Sequence, residues 1–529
     1  MVELVRRGPR DWNNYHESLE PRDDALIYKF KGGGGNDPAA LFARTAALLG
    51  ELMENAARAD TTVLSLGSSW SFSDILKSDG WLLKTALPNQ IYLLQEAQLD
   101  SRATARDRLV LASAGTTIQR LNDFLEPKLS LTTSGAHDGQ TVAGMIGTGT
   151  HGSVIGYGAF QNQVRGVHLV TGPGTSVWLE RPEAPCLDAA FVRGFASTLV
   201  RDADLFEAAL VHLGGLGIVN AVLLEAAPGY TVGVVKRKHV LDEAALAELE
   251  SGDFRAFAKR VWADSPDEVP VPYFVEVILN PFRPYLGYSE DPAPALVILL
   301  FKGPAGEERE PAPRPLAEDA LNLIGEGAKA EALALDDYRS IPPNWVARIV
   351  DRLFKTEPRT GRRPRQVTWG DANGEHHALP FDIELYNAAY ALPRGRLREA
   401  LRTMLDAFNT SGGGHLVFTL RFVTKAQGHL AFTRFDDTVV VNLDGLRKPQ
   451  SSDAAKRVAL ALETAGIGFS QHWGKQGVIS PARVIAGFGD PAVHGTKAWR
   501  WRNARLTLLS DPRMRRVIRT RQLEEWGLA

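Results

Sequence analysis

Two stretches of this chain are rich in residues that can hold an anionic ligand without bringing charge to it. One is "GSSWSF", Gly67, Ser68, Ser69, Trp70, Ser71 and Phe72, which follows the strand-forming run "TVLSL". The other is "TSGAHDGQTVAGMIGTGTHGS", Thr133 to Ser153. Glycine lets backbone N–H groups come close to a ligand, and serine and threonine add hydroxyl donors. Together the two stretches offer neutral hydrogen bonds suited to a pyrophosphate. The run Gly147-Thr148-Gly149-Thr150-His151-Gly152 formally matches a dinucleotide-binding fingerprint. That fingerprint needs a helix opening at the glycines and an acidic residue about 20 positions on. Here "SVIGYGAF" follows, and the next acid is Glu180, so a nicotinamide site is rejected.

The elements that must position these stretches can be read from periodicity. Asp37 and Pro38 make an N-cap and first helical residue, and Leu41, Leu48 and Leu52 recur at helical spacing. The preceding Gly32 to Gly35 read as a flexible entry to that helix. Thr62–Leu66, "RLVLASAG" and "IVNAVLLEA" read as strands. "TTIQRLNDFLEP" and "DADLFEAALVHLGGLG" read as helices, the first stopped by Pro127. Between 231 and 450 the apolar runs "PYFVEVIL", "ALVILLF", "FDIELYN", "HLVFTLRFV" and "DTVVVNL" predict a large antiparallel sheet with helices on one face. The proline-rich, charged "GPAGEEREPAPRPLAED" predicts a surface loop. From Ser451 a helix leads into a compact C-terminal segment.

A chain of 529 residues is too long for one core, so two or three lobes are expected. With 60 basic and 62 acidic residues, the charge balance favours neither nucleic acid nor a membrane surface. The longest apolar runs are too short to span a bilayer. The N-terminus has no apolar region of the secretory kind, and the single cysteine, Cys186, excludes an intramolecular disulfide and a thiolate zinc cluster. A cytoplasmic location is expected. His376 and His377 are adjacent and suit a turn better than a metal site, and no G-x-S-x-G or H-E-x-x-H motif signals a hydrolase.

The ordered set "TVLSLGSSWSFS", "VLASAGTTIQRLNDFL", "QTVAGMIGTGTHGS", "LFEAALVHLGGLGIVNAVLLEAAPGY" and "HWGK" resembles the FAD-dependent vanillyl-alcohol-oxidase superfamily. Within it, the chain is similar to the aldonolactone oxidases, alditol oxidases and flavin-linked sterol oxidases. The resemblance implies an α+β fold, with a PCMH-type FAD-binding domain of two α+β subdomains (1–230). It also implies a substrate-binding cap with a large antiparallel sheet flanked by helices (231–450). A C-terminal segment (451–529) then returns to the active site. It implies FAD held by Gly67–Phe72, Thr141, Gly144, Thr148, Gly149, Thr150, His151 and Ile218, with Ser134 beside the flavin ring.

Many relatives carry, in the first loop, a histidine bonded covalently to the flavin; here Trp70 stands in its place, so FAD is expected to be non-covalent. The alditol branch has Glu-x-Arg on a central strand, and this chain has Thr419-Leu420-Arg421. Its His-x-Thr falls at Asn442-Leu443-Asp444, while the lysine of "HWGK" is kept as Lys475. The implied chemistry is hydride transfer from a C–OH bond of a small molecule to flavin N5. O2 is the acceptor and H2O2 the product. Lys475 or Arg421 supplies positive charge, and Asp444, His472 or Glu384 takes the proton. The alternatives are a dehydrogenase with a different acceptor and a binding protein that has lost the redox step.

Overall fold

The computed structural model describes residues 2–529 apart from 17–18, 20–21, 33–34, 87, 264–267, 283–293, 304–319, 322, 325–341, 357–364, 374–383 and 411. The proline-rich segment after Gly303 and the pair His376 and His377 lie outside the described residues.

Among the described residues three large sheets organise the chain, beside a two-stranded one of Leu129–Ser130 and Ala227–Pro228. The first has four strands in the order Glu3–Trp12, Arg22–Lys31, Trp81–Lys84, Val63–Leu66, and its last two pairings are parallel. The second has six, running Thr198–Arg201, Thr175–Glu180, Val164–Gly172, Ile218–Glu225, Leu109–Ser113, Ile91–Leu93. The helix Pro38–Arg58 covers this sheet. The Asp37 side chain accepts from the N–H groups of Ala39 and Ala40, which are otherwise orphaned at the helix start. Its buried stripe includes Leu41, Phe42, Leu49, Leu52 and Met53, and Thr45 Oγ1 donates to Asn220 Oδ1 of the sheet at 2.8 Å.

The third sheet is antiparallel throughout. Its order is Arg365–Thr368, Thr231–His239, Ala295–Gly303, Phe274–Leu279, Leu416–Thr424, Asp437–Leu446, Leu385–Pro393, Ser470–Gln471. Alternation assigns its two faces. On Leu416–Thr424, the side chains of Leu416, Phe418, Leu420 and Phe422 join one core with the helices Glu243–Ser251, Phe254–Val261, Leu397–Asn409 and Pro449–Thr464. Burying each such side chain contributes about 1.5–3 kcal/mol. The opposite face carries Val417, Thr419, Arg421 and Val423, and it looks toward the first two sheets. That face is therefore buried yet polar.

The glycine-rich segment also has a fixed place. Val142–Thr148 is a helix capped by Thr141, whose hydroxyl accepts from Gly144 N–H, and it ends at Gly149 with φ 76°. The G-x-G-x-x-G run thus lies at the end of a helix rather than its start, the wrong terminus for a dinucleotide phosphate. Among the described residues no helix is long and apolar enough to cross a membrane, and no group of three or more His, Cys, Asp and Glu is arranged to hold a metal.

Candidate active site

One long cavity of about 1330 Å³, open mouth included, runs between the first two sheets and the polar face of the third. One part is lined by the two small-residue stretches. Strand Val63–Leu66 stops at Gly67, and Ser69 holds φ 60°, a left-handed backbone that costs a non-glycine residue energy and is typical of ligand clamps. Tyr15 N–H donates to Ser69 O at 2.9 Å, and Asn14 Nδ2 donates to Ser71 O at 2.8 Å. Gly67 lies so close to Thr141 that a Cβ would overlap its hydroxyl. Gly67→Ala should therefore push the two stretches apart. An overpacking cost of about 1–3 kcal/mol is expected, read as a lower melting temperature, together with weaker flavin retention on gel filtration.

The C-terminal segment closes this wall. Phe72 N–H donates to Gly474 O at 2.8 Å, and Ser73 Oγ donates to Trp473 O at 2.7 Å. His472 N–H donates to Ala389 O, and Gln476 N–H to Asn387 O, so the same segment is stitched to the edge of the large sheet.

The other part of the cavity is made by that sheet. Arg421 and Glu276 face each other across neighbouring strands, with Nε 2.8 Å from the carboxylate and both side chains buried. Lys475 Nζ donates to Asn442 Oδ1 at 3.2 Å, and Asn387 completes the rim. Among the described residues that line the cavity, Arg421 and Lys475 are the only Lys, Arg, Asp or Glu, and they lie at the sheet end, away from the small-residue loops.

Two buried histidines stand beside them, with ring centroids 5.9 Å apart. Burial, then Lys475, pushes both well below the usual histidine pKa, with Arg421 adding to the effect on His151 and His151 to that on His472. Both are therefore neutral at pH 7. Their partners assign the tautomers. His151 Nδ1 lies 2.9 Å from Gly152 O, an acceptor only, so Nδ1 carries the proton and Nε2 keeps a lone pair. His472 Nδ1 accepts from Gly474 N–H at 3.0 Å, so its Nε2 carries the proton. His472 is thus a donor. His151 Nε2 is buried and, among the described residues, has no hydrogen-bond partner. Gln140 Oε1, also on the cavity wall, is in the same state.

The structure brings most of the expected residues to this cavity. Gly67 through Phe72, Thr141, Gly144, Thr148, Thr150, His151, Arg421, His472 and Lys475 all line it. Ser134, Gly149 and Ile218 do not; each adjoins a lining residue, at Gly135, Thr148 or Thr150, and Gly217 or Val219. Asp444 is buried on the same face of its strand as Asn442 but lies one repeat beyond the lining. Glu384 is a correction. Its side chain is 43% exposed and pairs with Arg447 at 3.1 Å, because it precedes the strand Leu385–Pro393 instead of lying within it.

Residues missed from the sequence are Glu276, Asn387 and Gln140. For Glu276 a signal existed: in "FVEVIL" it shares a face with Phe274 and Ile278, so the pattern buries a carboxylate. Trp70 stacks on Tyr15 (ring centroids 3.9 Å apart, planes 18° apart) and touches His137 at 4.6 Å. An indole fits this loop because aromatic neighbours on both sides take up its faces.

A family model described as FAD binding domain matches residues 38–180. D-arabinono-1,4-lactone oxidase of Debaryomyces hansenii is 28% identical over 201 residues, 37% of this chain and 33% of its own length. L-gulonolactone oxidase of Scyliorhinus torazame is 28% identical over 229 residues, 42% and 45% of the two chains. The chain thus spans about a third to under a half of the curated relatives it matches. Among solved structures, a solvent-stable cholesterol oxidase covers 99% of the chain with a TM-score of 0.68 and 12% identity, over 98% of its own. A cholesterol oxidase from B. sterolicum gives 0.64, also at 12% identity, covering 99% and 97% of the two chains. At that identity the likeness is one of fold. Residues 38–180 thus match an FAD binding domain, and the chain shares its fold with these cholesterol oxidases over nearly its whole length.

Proposed function

We propose that the protein is an FAD-dependent oxidase of a C–OH bond, converting a small alcohol and O2 to a carbonyl compound and H2O2. The observation that carries this reading is the cavity itself: its neutral cradle opens onto two cations and a neutral histidine with a free lone pair. The residues fit FAD. The N–H and hydroxyl groups of Gly67–Ser71, with the hydroxyls of Thr148 and Thr150, suit the pyrophosphate, and glycine at 67, 144 and 147 lets the walls around it pack closely on Thr141 and His212. FAD, when bound, supplies the hydride acceptor.

The chain's own groups supply the rest. His151 Nε2 receives the hydroxyl proton, and His472 Nε2–H holds the substrate oxygen in line with it. Arg421 and Lys475 place positive charge at this end of the cavity in a setting screened from water, where charge acts strongly. Asn387 and Asn442 offer amide contacts to further oxygens. That favours an oxygen-rich small substrate over a sterol, since apolar groups would leave the buried Asn387 Oδ1, which has no hydrogen-bond partner among the described residues, unpaired.

We also propose that FAD is held without a covalent bond. Trp70 occupies the histidine position of the first loop and has no ring nitrogen suited to the usual link. Acid precipitation of the purified protein is expected to leave the flavin in the supernatant, and a yellow pellet would contradict this. The activity is tested by a screen of alcohols, sugars and sterols for peroxide in air and for flavin bleaching without oxygen. Protein that is colourless and does not take up FAD would end the proposal.

A further inference from the structure

A second cavity, about 850 Å³ with its mouth, lies behind the segment Ser470–Lys475. Alternation along this segment divides it between the two cavities. His472, Gly474 and Lys475 line the active-site cavity, whereas Gln471 and Trp473 line the second. Most of the second wall is apolar: Ile467, Phe469, Trp473, Ile479, Val484 and Phe488. Two guanidinium groups interrupt it, and they differ in kind. Arg483 is neutralised by Glu463 in a two-pronged ion pair at 2.6 and 2.9 Å.

Arg434 has no carboxylate partner among the described residues. Its Nε is buried without a hydrogen bond, Nη2 reaches only Phe469 O at 3.5 Å, and the group lies 4.3 Å over the Phe435 ring. Glycines 468 and 487 adjoin the guanidinium, so no neighbouring side chain covers it from those positions. Desolvation alone pulls its pKa below the ordinary arginine value, and no anion holds it up. A half-buried cation kept from water and left unpaired is costly unless a ligand supplies the counter-charge.

We propose that this second cavity binds an amphipathic carboxylate, a medium-chain or aryl acid whose carboxylate pairs with Arg434 and whose apolar body packs on Phe469, Trp473, Ile479, Val484 and Phe488. The carboxylate matches the planar fork of the guanidinium, and the body displaces water from the aromatic wall. Because the cavity shares the Ser470–Lys475 segment with the active site, its occupant touches the back of the segment that carries His472 and Lys475. The site is thus placed to regulate the enzyme, and its ligand binding stands whether or not the proposed oxidation is correct.

The test is equilibrium dialysis of the purified full-length protein against labelled decanoate, with decanol as the uncharged counterpart. Saturable binding of one decanoate is expected, with decanol at least about tenfold weaker. Arg434→Gln should weaken decanoate about tenfold or more while leaving decanol unchanged. Arg434→Lys should keep part of the affinity. Val484→Trp, which fills the apolar wall, should abolish binding of both. Equal binding of acid and alcohol, undiminished binding by the Val484→Trp protein, or no saturable binding by the wild type would each overturn the proposal. The acid–alcohol comparison on unmodified protein decides the matter even where a variant does not fold.

Discussion

Arg421→Met alone should destabilise the protein by about 3–5 kcal/mol, whereas Arg421→Met with Glu276→Leu should recover most of that loss. The two side chains meet at 2.8 Å across adjacent strands, with relative side-chain exposures of 6% and 5%. Taking two charges out of water is costly, and their mutual attraction offsets this only while both are present. Removing the arginine leaves Glu276 charged in a dry sheet face, so it must either take up a proton or draw in water. Removing both leaves an apolar contact of similar volume, which such a sheet accepts. Urea unfolding of the wild type, both single variants and the double variant closes the cycle. A coupling energy near zero would mean that water reaches the pair, and the field assigned to Arg421 in the active site would fall with it. The double variant also separates roles: it should be stable and still inactive.

Replacing His151 with glutamine should lower kcat/KM by about 10²–10⁴-fold with whichever alcohol the peroxide screen identifies. Glutamine keeps the bulk and a polar group but provides no basic nitrogen. The pH behaviour follows from the direction of the shift. The native pKa of His151 lies well below 6.5, so the base stays neutral and competent down to pH 6, where an ordinary histidine is largely protonated. The wild-type kcat/KM should therefore be flat between pH 7.5 and 6. A fall centred near pH 6.5 would show that the ring is not buried as described.

Stability responds in the opposite sense. Below pH 6.5 the unfolded chain binds protons that the native histidine refuses, so stability falls as pH falls. His472 has the same sign, as do His168 and His212, held at about 3 and about 4 by burial. Each contributes a slope of about 1.4 kcal/mol per pH unit in its window, from 6.5 down to its native pKa. Urea midpoints at pH 7.5, 6 and 5 should drop progressively.

Much of the scaffold was legible because it follows from local rules. The Asp37–Pro38 helix start, the stripe of Ile118, Leu121 and Leu125, and the alternation along Leu416–Thr424 each depend on nearby residues. That the two small-residue stretches meet at one cavity was legible from residue type, since few roles other than ligand binding need glycine, serine and threonine so densely. Strand register was not. Arg421 could be placed on a strand, but its partner Glu276 comes from another strand 145 positions earlier, and no local pattern fixes that pairing. The same gap separates the candidates for the proposed base. Asp444, His472 and Glu384 were plausible by type, while His151 was assigned only to the cofactor. Its role as a lone-pair acceptor rests on which carbonyl its other nitrogen meets, and sequence does not carry that information.

The bond from Ser73 Oγ to Trp473 O spans 400 residues. It also sets a schedule. At about 5–20 residues per second, a ribosome needs roughly 20–80 s to travel from one end of that bond to the other. Through that interval the loop proposed to grip the cofactor has been made, yet the wall that closes over it has not. Tight flavin capture is therefore a late event in the life of each molecule, and a chain that stops short of Lys475 is left with an open cradle.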